Sequence, residues 1–478
     1  MLRRWLPILL AVALLAGCTA VGEPAPAGPL PTKAPPSAPP APDGRSQPVE
    51  DEVYPEYGNP SVDVLRYALD LSWDPGARRL TGIATLTVRA VDPLNEIVLD
   101  FSPAFTVDRA TVDGAPARVS RRQADLVLAA AQPVPKDATA TVVVTYQGQP
   151  AVVPFPGVRR DVGTLGLHAV PDGALWAMQE PYGAFTWYPC SDQPSDEALY
   201  DFAITVPDGW TGVANGVLTG TDTAAGRRTY RWHAAEAMPT YLVTLAVDRF
   251  TRHDDIGPHG LPISYWVRPQ DSGAMLPALR QSPRLLTWLE RRLGPYPFSS
   301  AGVVVVQNRS GMETQTMITL GPLTGPDAVP VLLHEYAHHW VGDSVTPKTW
   351  RDMWLNEGFA TYVLGLFQLD EGTVSEEGLL AAWRQIDAEQ RAAAGPPGRY
   401  RPDRFAARNV YVGPALMLHE LRGQLGDATF FAMLHDWVQH NRHTQQDRAG
   451  FTAWLNAYTG RDLTPVVDKW LDAPVTPS

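Results

Sequence analysis

Cysteine, positive charge and long apolar runs are all scarce in this chain of 478 residues. Only two cysteines occur, Cys18 and Cys190, which leaves no material for a framework of disulfide bonds. Acidic residues outnumber basic ones and the net charge is −12, so no basic stripe is available to bind nucleic acid. Hydrophobic residues make up 45% and charged residues 19%, which is typical of a globular protein with room for two or three domains.

The first residues predict a targeting segment rather than a membrane span. Arg3 and Arg4 precede an apolar run over residues 6–15, which is too short to cross a bilayer. The run ends in Leu15-Ala16-Gly17-Cys18, which resembles a bacterial lipoprotein signal (residues 1–17). The resemblance implies lipid attachment at Cys18 and a place in the cell envelope, outside the cytoplasm; a plain secretory signal is the alternative. Lipidation of Cys18 would leave Cys190 as a free, buried thiol.

Three further segments differ in composition, and together they predict a multidomain α+β protein. Proline and alanine dominate residues 18–48, which predicts an extended tether. Short runs of alternating apolar and polar residues within 49–250 predict an antiparallel β-sandwich, with strands at 83–91, 141–146 and 241–247. Helical spacing predicts an α-rich domain over 251–478, with helices at 276–293, 379–391, 414–425 and 427–440.

The α-rich domain contains His334-Glu335-Tyr336-Ala337-His338 and, further on, Glu357. Histidines four apart lie on one face of a helix, so His334 and His338 can bind one metal ion together with Glu357. Three such ligands and an open fourth position are typical of catalytic zinc. Glu335 would not bind the metal; its carboxylate would take a proton from water beside it. The alternative is an ordinary buried helix, which would leave these polar groups without partners at a free-energy cost.

These residues resemble the aminopeptidase N family of gluzincin zinc metallopeptidases, which includes leukotriene hydrolase. The shared string continues through residues 340–343 and 354–360, and the resemblance runs from about residue 50 to the C-terminus. It implies an N-terminal β saddle, a thermolysin-like domain with one Zn²⁺, and hydrolysis of peptides from the amino end. Large members of the family carry a further helical domain beyond the point where this chain ends, so a more open site is expected.

The resemblance also implies residues that bind the substrate. The family has a Gly-Ala-Met-Glu-Asn strand, and here Gly311, Met312 and Glu313 match while Thr314 replaces asparagine. Glu313 would bind the free α-ammonium group of the peptide, because a fixed anion near the metal selects cationic chain ends. A solvated loop carboxylate is the alternative for Glu313.

Two more positions follow from the same alignment. Counting back from Pro189-Cys190-Ser191-Asp192-Gln193-Pro194 places a second amine-binding acid at Glu180, with Gln179 as the neighbouring candidate. A structural salt bridge is the alternative role for Glu180. Tyr411 matches the tyrosine that stabilises the transition state, although Pro414 replaces the usual glycine and a packing role remains open.

The sequence therefore predicts a zinc-dependent aminopeptidase that acts on peptides with a free amino terminus. The alternatives on the same scaffold are a zinc endopeptidase or an epoxide hydrolase. A non-catalytic binding lipoprotein of the envelope is the alternative from another class, although no predicted ligand is missing.

Overall fold

The computed structural model describes residues 43–159, 161–323 and 325–478. The predicted signal peptide, Cys18 and residues 18–42 of the predicted tether lie outside the described residues. Within the described ranges, every helix is too short or too polar to cross a bilayer.

The first part of the described chain is made of strands. In chain order they are β1 (Val62–Asp74), β2 (Arg79–Ala90), β3 (Leu94–Asp100), β4 (Phe105–Val112), β5 (Ala115–Pro116), β6 (Arg118–Arg122), β7 (Asp125–Val134), β8 (Thr139–Gly148), β9 (Val153–Pro154), β10 (Thr164–Ala169), β11 (Leu175–Met178), β12 (Glu197–Pro207), β13 (Thr211–Ala214), β14 (Val217–Ala224), β15 (Arg227–Pro239) and β16 (Leu245–Asp248).

These strands form three sheets. The largest has the order β14-β15-β12-β1-β2-β8-β4-β5, the second β3-β7-β6, and the third β13-β16-β11-β10-β9. Neighbouring strands are antiparallel except β1 and β12, which run parallel. Leu86, Val88 and Ala90 of β2 are all buried, as the alternation of the sequence predicted.

The predicted strand at 241–247 is wrong in its first half. Thr240–Leu242 forms a turn of 3₁₀-helix, and β16 begins only at Leu245. The amide of Gln179 donates hydrogen bonds to the carbonyls of Thr240 and Val243, so a side chain satisfies this backbone in place of a neighbouring strand.

The second part of the chain is mostly helical. Its elements are β17 (Thr251–Ile256), β18 (Pro262–Val267), α1 (Pro269–Leu279), α2 (Ser282–Leu293), β19 (Ala301–Val305), β20 (Gly311–Met312), β21 (Ile318–Leu320), α3 (Ala328–His338), β22 (Val345–Pro347), α4 (Met353–Asp370), α5 (Glu376–Ala394), α6 (Asn409–Leu425), α7 (Asp427–His440), β23 (Thr444–Gln446), α8 (Arg448–Thr459) and α9 (Thr464–Asp472). The predicted α+β class, with a β domain before an α-rich domain, is confirmed. The exact domain boundaries, including the one at 250, stay predictions.

Two helix predictions need correction. The single helix expected over 276–293 is two helices, α1 and α2, because Pro283 lacks the N–H that a continuous helix would use in that turn. Helix α6 begins at Asn409 rather than at Pro414, so Tyr411 lies inside the helix instead of before it. The helices predicted at 379–391 and 427–440 are present as α5 and α7.

A mixed sheet of order β17-β18-β19-β21-β20 places the short strand β20 at its edge, against helix α3. Helix α4 packs on both α3 and α6. The candidate site lies where β20, α3, α4 and α6 meet residues 155–180 of the β domain.

Candidate active site

Helices α3 and α4 bring together the three predicted metal ligands. The Nε2 atoms of His334 and His338 are 3.0 Å apart. Oε2 of Glu357 lies 3.2 Å from the first of these nitrogens and 3.3 Å from the second. These three donor atoms form a triangle, called the metal-ligand triangle below. His338 and Glu357 are buried and the side chain of His334 is 17% exposed, so the triangle faces the cavity at His334.

The triangle has the size that a tetrahedral zinc site requires. Bonds of about 2.0–2.1 Å to nitrogen or oxygen place ligand atoms roughly 3.3 Å apart. The three measured separations agree with that value. The Nδ1–H of His338 donates to the carbonyl of Val341 at 3.2 Å, which leaves the lone pair of its Nε2 pointing at the other two donors. The donor set therefore fits a zinc ion.

The chain turns sharply after the second histidine. Helix α3 ends at His338, and residues 339–343 form a wider turn in which Gly342 has φ +133°. A Cβ atom at Gly342 would lie 2.3 Å from Oδ1 of Asn356, so glycine is required both by the backbone angle and by the close approach of α4. This turn brings Asn356 and Glu357 against α3.

Glu335 lies on the face of α3 that meets strand β20. A Cβ atom on Gly311 would sit 2.2 Å from Oε1 of Glu335, so the absent side chain of Gly311 makes the space for that carboxylate. Burial, followed by the neighbouring Glu313, raises the pKa of Glu335 to about 8. Carboxylate oxygens of Glu335 and Glu313 lie within 4.8 Å of each other and of a ring nitrogen of His338.

Glu313 is 3% exposed and is held by α4, since Nδ2 of Asn356 donates to its Oε1 at 3.1 Å. The next residue, Thr314, is turned away from the cavity: its hydroxyl lies 3.0 Å from that of Thr319 and donates to the carbonyl of Met317. Met312 is buried as well. The substitution of threonine for the family's asparagine thus falls on a side chain that packs behind the strand.

The structure distinguishes between Glu180 and Gln179, the two candidates for the second amine-binding residue. Gln179 is fully engaged: its amide donates to two carbonyls, and its Oε1 accepts from the indole N–H of Trp187 at 2.8 Å. Glu180 lines the cavity, and its buried Oε1 has no hydrogen-bond partner among the described residues. Burial, with Glu313 and then Glu357 adding to it, raises the pKa of Glu180 well above its usual value. Of the two, Glu180 is the one available to a ligand.

Tyr411, in the first turn of α6, lies beside the metal-ligand triangle on the side of His334. Its ring stacks on that of His334, with centroids 6.3 Å apart and planes 14° from parallel. Burial, and then the charge of Glu357, raises the pKa of Tyr411 well above its usual value. The phenol therefore stays protonated and can donate a hydrogen bond.

Glu357 differs from the other buried acids. Burial acts to raise its pKa, but the adjacent His338 and His334 outweigh that and hold the pKa of Glu357 well below its usual value. The carboxylate of Glu357 therefore stays ionised beside the histidines, as an anionic metal ligand must.

Sequence reasoning missed Asn356 and Arg159. Asn356 could have been found, because it directly precedes a ligand within the shared string. Arg159 comes from the loop between β9 and β10, where nothing local signals a role, yet its guanidinium donates to the hydroxyl of Ser310 at 2.8 Å. It also pairs with Asp161. The hydrogen bond from Arg159 to Ser310 connects the β domain to the residue just before β20.

The remaining histidines have other roles. His339 is fully buried, its Nδ1 lies 2.7 Å from the hydroxyl of Tyr296, and burial followed by the charge of His338 lowers its pKa to about 3. His435 is half exposed and lies beside Asp436. Among the described residues, the groups of side chains able to hold a metal ion all lie at the site of His334, His338 and Glu357. Cys190 is free and buried, as predicted.

The site opens into a cavity of about 640 Å³. The four carboxylates at its inner end, those of Glu180, Glu313, Glu335 and Glu357, are each less than 10% exposed. The cavity mouth is lined by exposed charged residues, among them Arg309, Asp327 and Arg408.

A β domain, a helical domain, and two histidines and two glutamates in this arrangement define a metallohydrolase. The model for the Peptidase M1 N-terminal domain matches residues 64–242, and the model for the Peptidase family M1 domain matches residues 278–470. The chain belongs to peptidase family M1.

Solved structures show the same architecture. An M1 zinc metallopeptidase from Deinococcus radiodurans is similar with a TM-score of 0.81 and 28% identity, over 90% of this chain and 98% of that chain. A mutant form from that organism, bound to a Tyr-ser-ala substrate, is similar with a TM-score of 0.81 and 27% identity, over 90% of this chain and 99% of that chain.

Curated relatives are longer than this chain. Aminopeptidase N of Canis lupus familiaris is 29% identical over an alignment of 198 residues, which covers 37% of this chain and 20% of the relative. Aminopeptidase B of Mus musculus is 27% identical over an alignment of 342 residues, which covers 63% of this chain and 49% of the relative. The chain thus spans between a fifth and a half of the length of these two relatives.

Proposed function

We propose that this protein is a zinc-dependent aminopeptidase that removes single residues from the amino end of peptides. One observation carries the proposal: buried acids that are not metal ligands, Glu313 and Glu180, line the same cavity as the metal-ligand triangle. A cationic amino terminus bound there would neutralise their buried charge and fix the first peptide bond beside the metal. The names of the relatives, aminopeptidase N and aminopeptidase B, support the same activity.

His334, His338 and Glu357 would hold the zinc ion. When bound, zinc polarises the scissile carbonyl and makes water acidic enough to lose a proton near neutral pH. Glu335, buried beside these ligands, would accept a proton from water and then pass it to the leaving amine. Because its carboxylate sits against Gly311, the base is aligned with the strand along which the substrate lies.

Tyr411 donates a hydrogen bond from its phenol to the carbonyl oxygen as negative charge develops there. The stacking of its ring on that of His334, a proposed metal ligand, supports this role. Glu313, held by Asn356, anchors the ammonium group and so sets the position of the first peptide bond; Glu180 contacts the same group from the β domain. An endopeptidase would not bind a free ammonium group, so it would not need this pair of acids.

The test compares one peptide with its N-acetylated twin, using the full chain loaded with zinc. Only the free peptide should be cleaved, one residue at a time, and a chelator should abolish the reaction. Equal cleavage of both peptides would reject the aminopeptidase in favour of an endopeptidase. Lack of cleavage across a panel of first residues would reject the peptidase activity altogether.

We also propose that the chain is a lipoprotein of a bacterial cell envelope, anchored to the membrane through Cys18. The supporting observation is the sequence Leu15-Ala16-Gly17-Cys18 after a basic and apolar leader. The mature protein should carry a lipid on residue 18 by mass spectrometry and should partition with membranes. Cys18→Ser should release it into the soluble fraction, with Cys190→Ser as the matched control.

A further inference from the structure

The segment that carries Glu313 begins with an arginine at the cavity mouth. Arg309, Ser310, Gly311 and Glu313 all line the cavity, whereas Met312 is buried. Strand β20 comprises only Gly311 and Met312, and residues 307–310 form a bend that leads into it from the cavity mouth. From Glu313 back to Arg309, the segment contains the proposed ammonium-binding acid, then Gly311 in contact with the proposed general base, then the arginine.

Arg309 is exposed and makes no ion pair or side-chain hydrogen bond with any residue that the structure describes. Arg408 has the same properties. It lies three residues before Tyr411, lines the cavity and is exposed, and its side chain has no partner in the described ranges. A guanidinium group with no partner at the mouth of a binding cavity is ready to accept an anion.

The other charges at the mouth do not cancel these two. Arg159 and Asp161 pair with each other, so they contribute no net charge. Asp327 also lines the mouth, is exposed, and carries one negative charge against the two positive charges of Arg309 and Arg408. The mouth is therefore net positive, while the inner end of the cavity is crowded with carboxylates.

Resting on the proposed aminopeptidase function, we propose that Arg309 and Arg408 bind the C-terminal carboxylate of the substrate, and that the enzyme prefers tripeptides and tetrapeptides. Glu313 and Glu180 bind the ammonium group, and the two arginines bind the carboxylate. Both ends of a short peptide are thus recognised.

Chain length sets the size of that peptide. Residues 309 and 313 are four positions apart, which limits their Cα separation to roughly 13 Å in a fully extended chain. An extended tripeptide spans about 10 Å and a tetrapeptide about 14 Å. A peptide of ten residues would carry its carboxylate far beyond the two arginines.

The experiment measures kcat/KM of the zinc-loaded full chain for tripeptides as free acids and as C-terminal amides, with several first residues. The free acid should be favoured about tenfold, the size expected for charge-assisted hydrogen bonds at an exposed site. For a ten-residue peptide the two forms should be cleaved equally. The double variant Arg309→Gln/Arg408→Gln should lower the rate for the free tripeptide to that for the amide, mainly through KM.

Arg118→Gln is the matched control, because Arg118 is exposed on β6 and does not line the cavity. It should keep the tenfold preference. If the wild-type chain cleaves acid and amide equally, or if the double variant keeps the preference, the carboxylate site is refuted while the aminopeptidase function stands. If tripeptides of neither form are cleaved, the proposed function fails and this inference fails with it.

Discussion

The inner end of the cavity and its mouth carry charged side chains in very different surroundings. At the inner end, Glu313, Glu335 and Glu357 are each less than 10% exposed, and each touches a residue of another element. At the mouth, Arg309 and Asp327 are exposed and have no charged partner among the described residues. Electrostatic interactions are strong where water is excluded and weak where it screens them.

Under the proposed function, the inner end of the cavity carries out the chemistry and the mouth selects the substrate. Chemistry needs groups whose charge and position are fixed before the substrate arrives, and burial supplies both. Selection of a chain end needs only a modest preference, which exposed groups can supply at little cost in stability. Substitutions at the inner end should therefore have large effects, and those at the mouth small ones.

The largest effect is expected for His338→Ala. Loss of one of three ligands should remove the metal and lower kcat by at least about a thousandfold. Zinc content measured after dialysis, together with activity, checks the prediction. His435→Ala, on the exposed face of α7, should retain zinc and full activity. Full zinc occupancy in His338→Ala would contradict the assigned ligands.

Glu335→Gln should keep the metal but lower kcat by about a thousandfold, because an amide cannot accept the proton. The zinc content should match that of the wild type, which distinguishes this variant from the loss of a ligand. The affinity for an uncleaved peptide should change little. A variant with near-normal kcat would show that another group is the base.

Tyr411→Phe should lower kcat by roughly a hundredfold with little change in KM, since the phenol acts on charge that develops only in the transition state. The ring remains to stack on His334, so the fold and the metal should be preserved. Tyr458→Phe, on α8 and away from the cavity, provides the control. An increase in KM alone would indicate a binding role instead.

Gly311→Ala should lower kcat about tenfold to thirtyfold, because the new methyl group must displace the carboxylate of Glu335 by more than an ångström. Gly423→Ala is a suitable control, since a Cβ atom there meets nothing within 4 Å. Equal kinetics for the two variants would mean that Glu335 moves aside without loss, which would argue against a fixed base.

Asp327→Asn should have the smallest effect, within about twofold in kcat/KM, because the charge is exposed and screened. Its side chain does not cap α3, so stability should be unchanged. Removal of a negative charge from the mouth should slightly favour free-acid tripeptides over their amides. A loss of tenfold or more would show that the mouth is as sensitive as the inner end.

The inner end could be predicted from the sequence, whereas the mouth could not. The i, i+4 spacing of His334 and His338 defines their geometry within one helix. Glu357 is identified by the sequence around it, residues 354–360, which resembles that of the family. Arg408 and Arg309 sit in irregular segments, where neither periodicity nor spacing signals a shared surface. Arg159 reaches Ser310 from 151 residues away, a contact that only the folded chain reveals.

The helix boundaries show a similar limit. The sequence predicts that α6 starts at Pro414, but Pro414 lies within the helix, which begins five residues earlier. Proline is favoured at the first position of a helix, yet packing against α4 and α5 holds α6 together despite one missing backbone hydrogen bond. Tertiary contact of this kind cannot be read from local sequence.

The first described residues have a consequence for the order in which the chain folds. The hydroxyl of Ser46 bonds to the backbone of Glu197, and a carboxylate oxygen of Asp51 accepts from the N–H of Trp350, 299 residues further along. During synthesis these residues emerge long before their partners. The contacts of this segment therefore join residues that are very far apart in the sequence. They can form only after both domains have been synthesised and folded. Protection of this segment from hydrogen exchange would report that the last step of assembly has taken place.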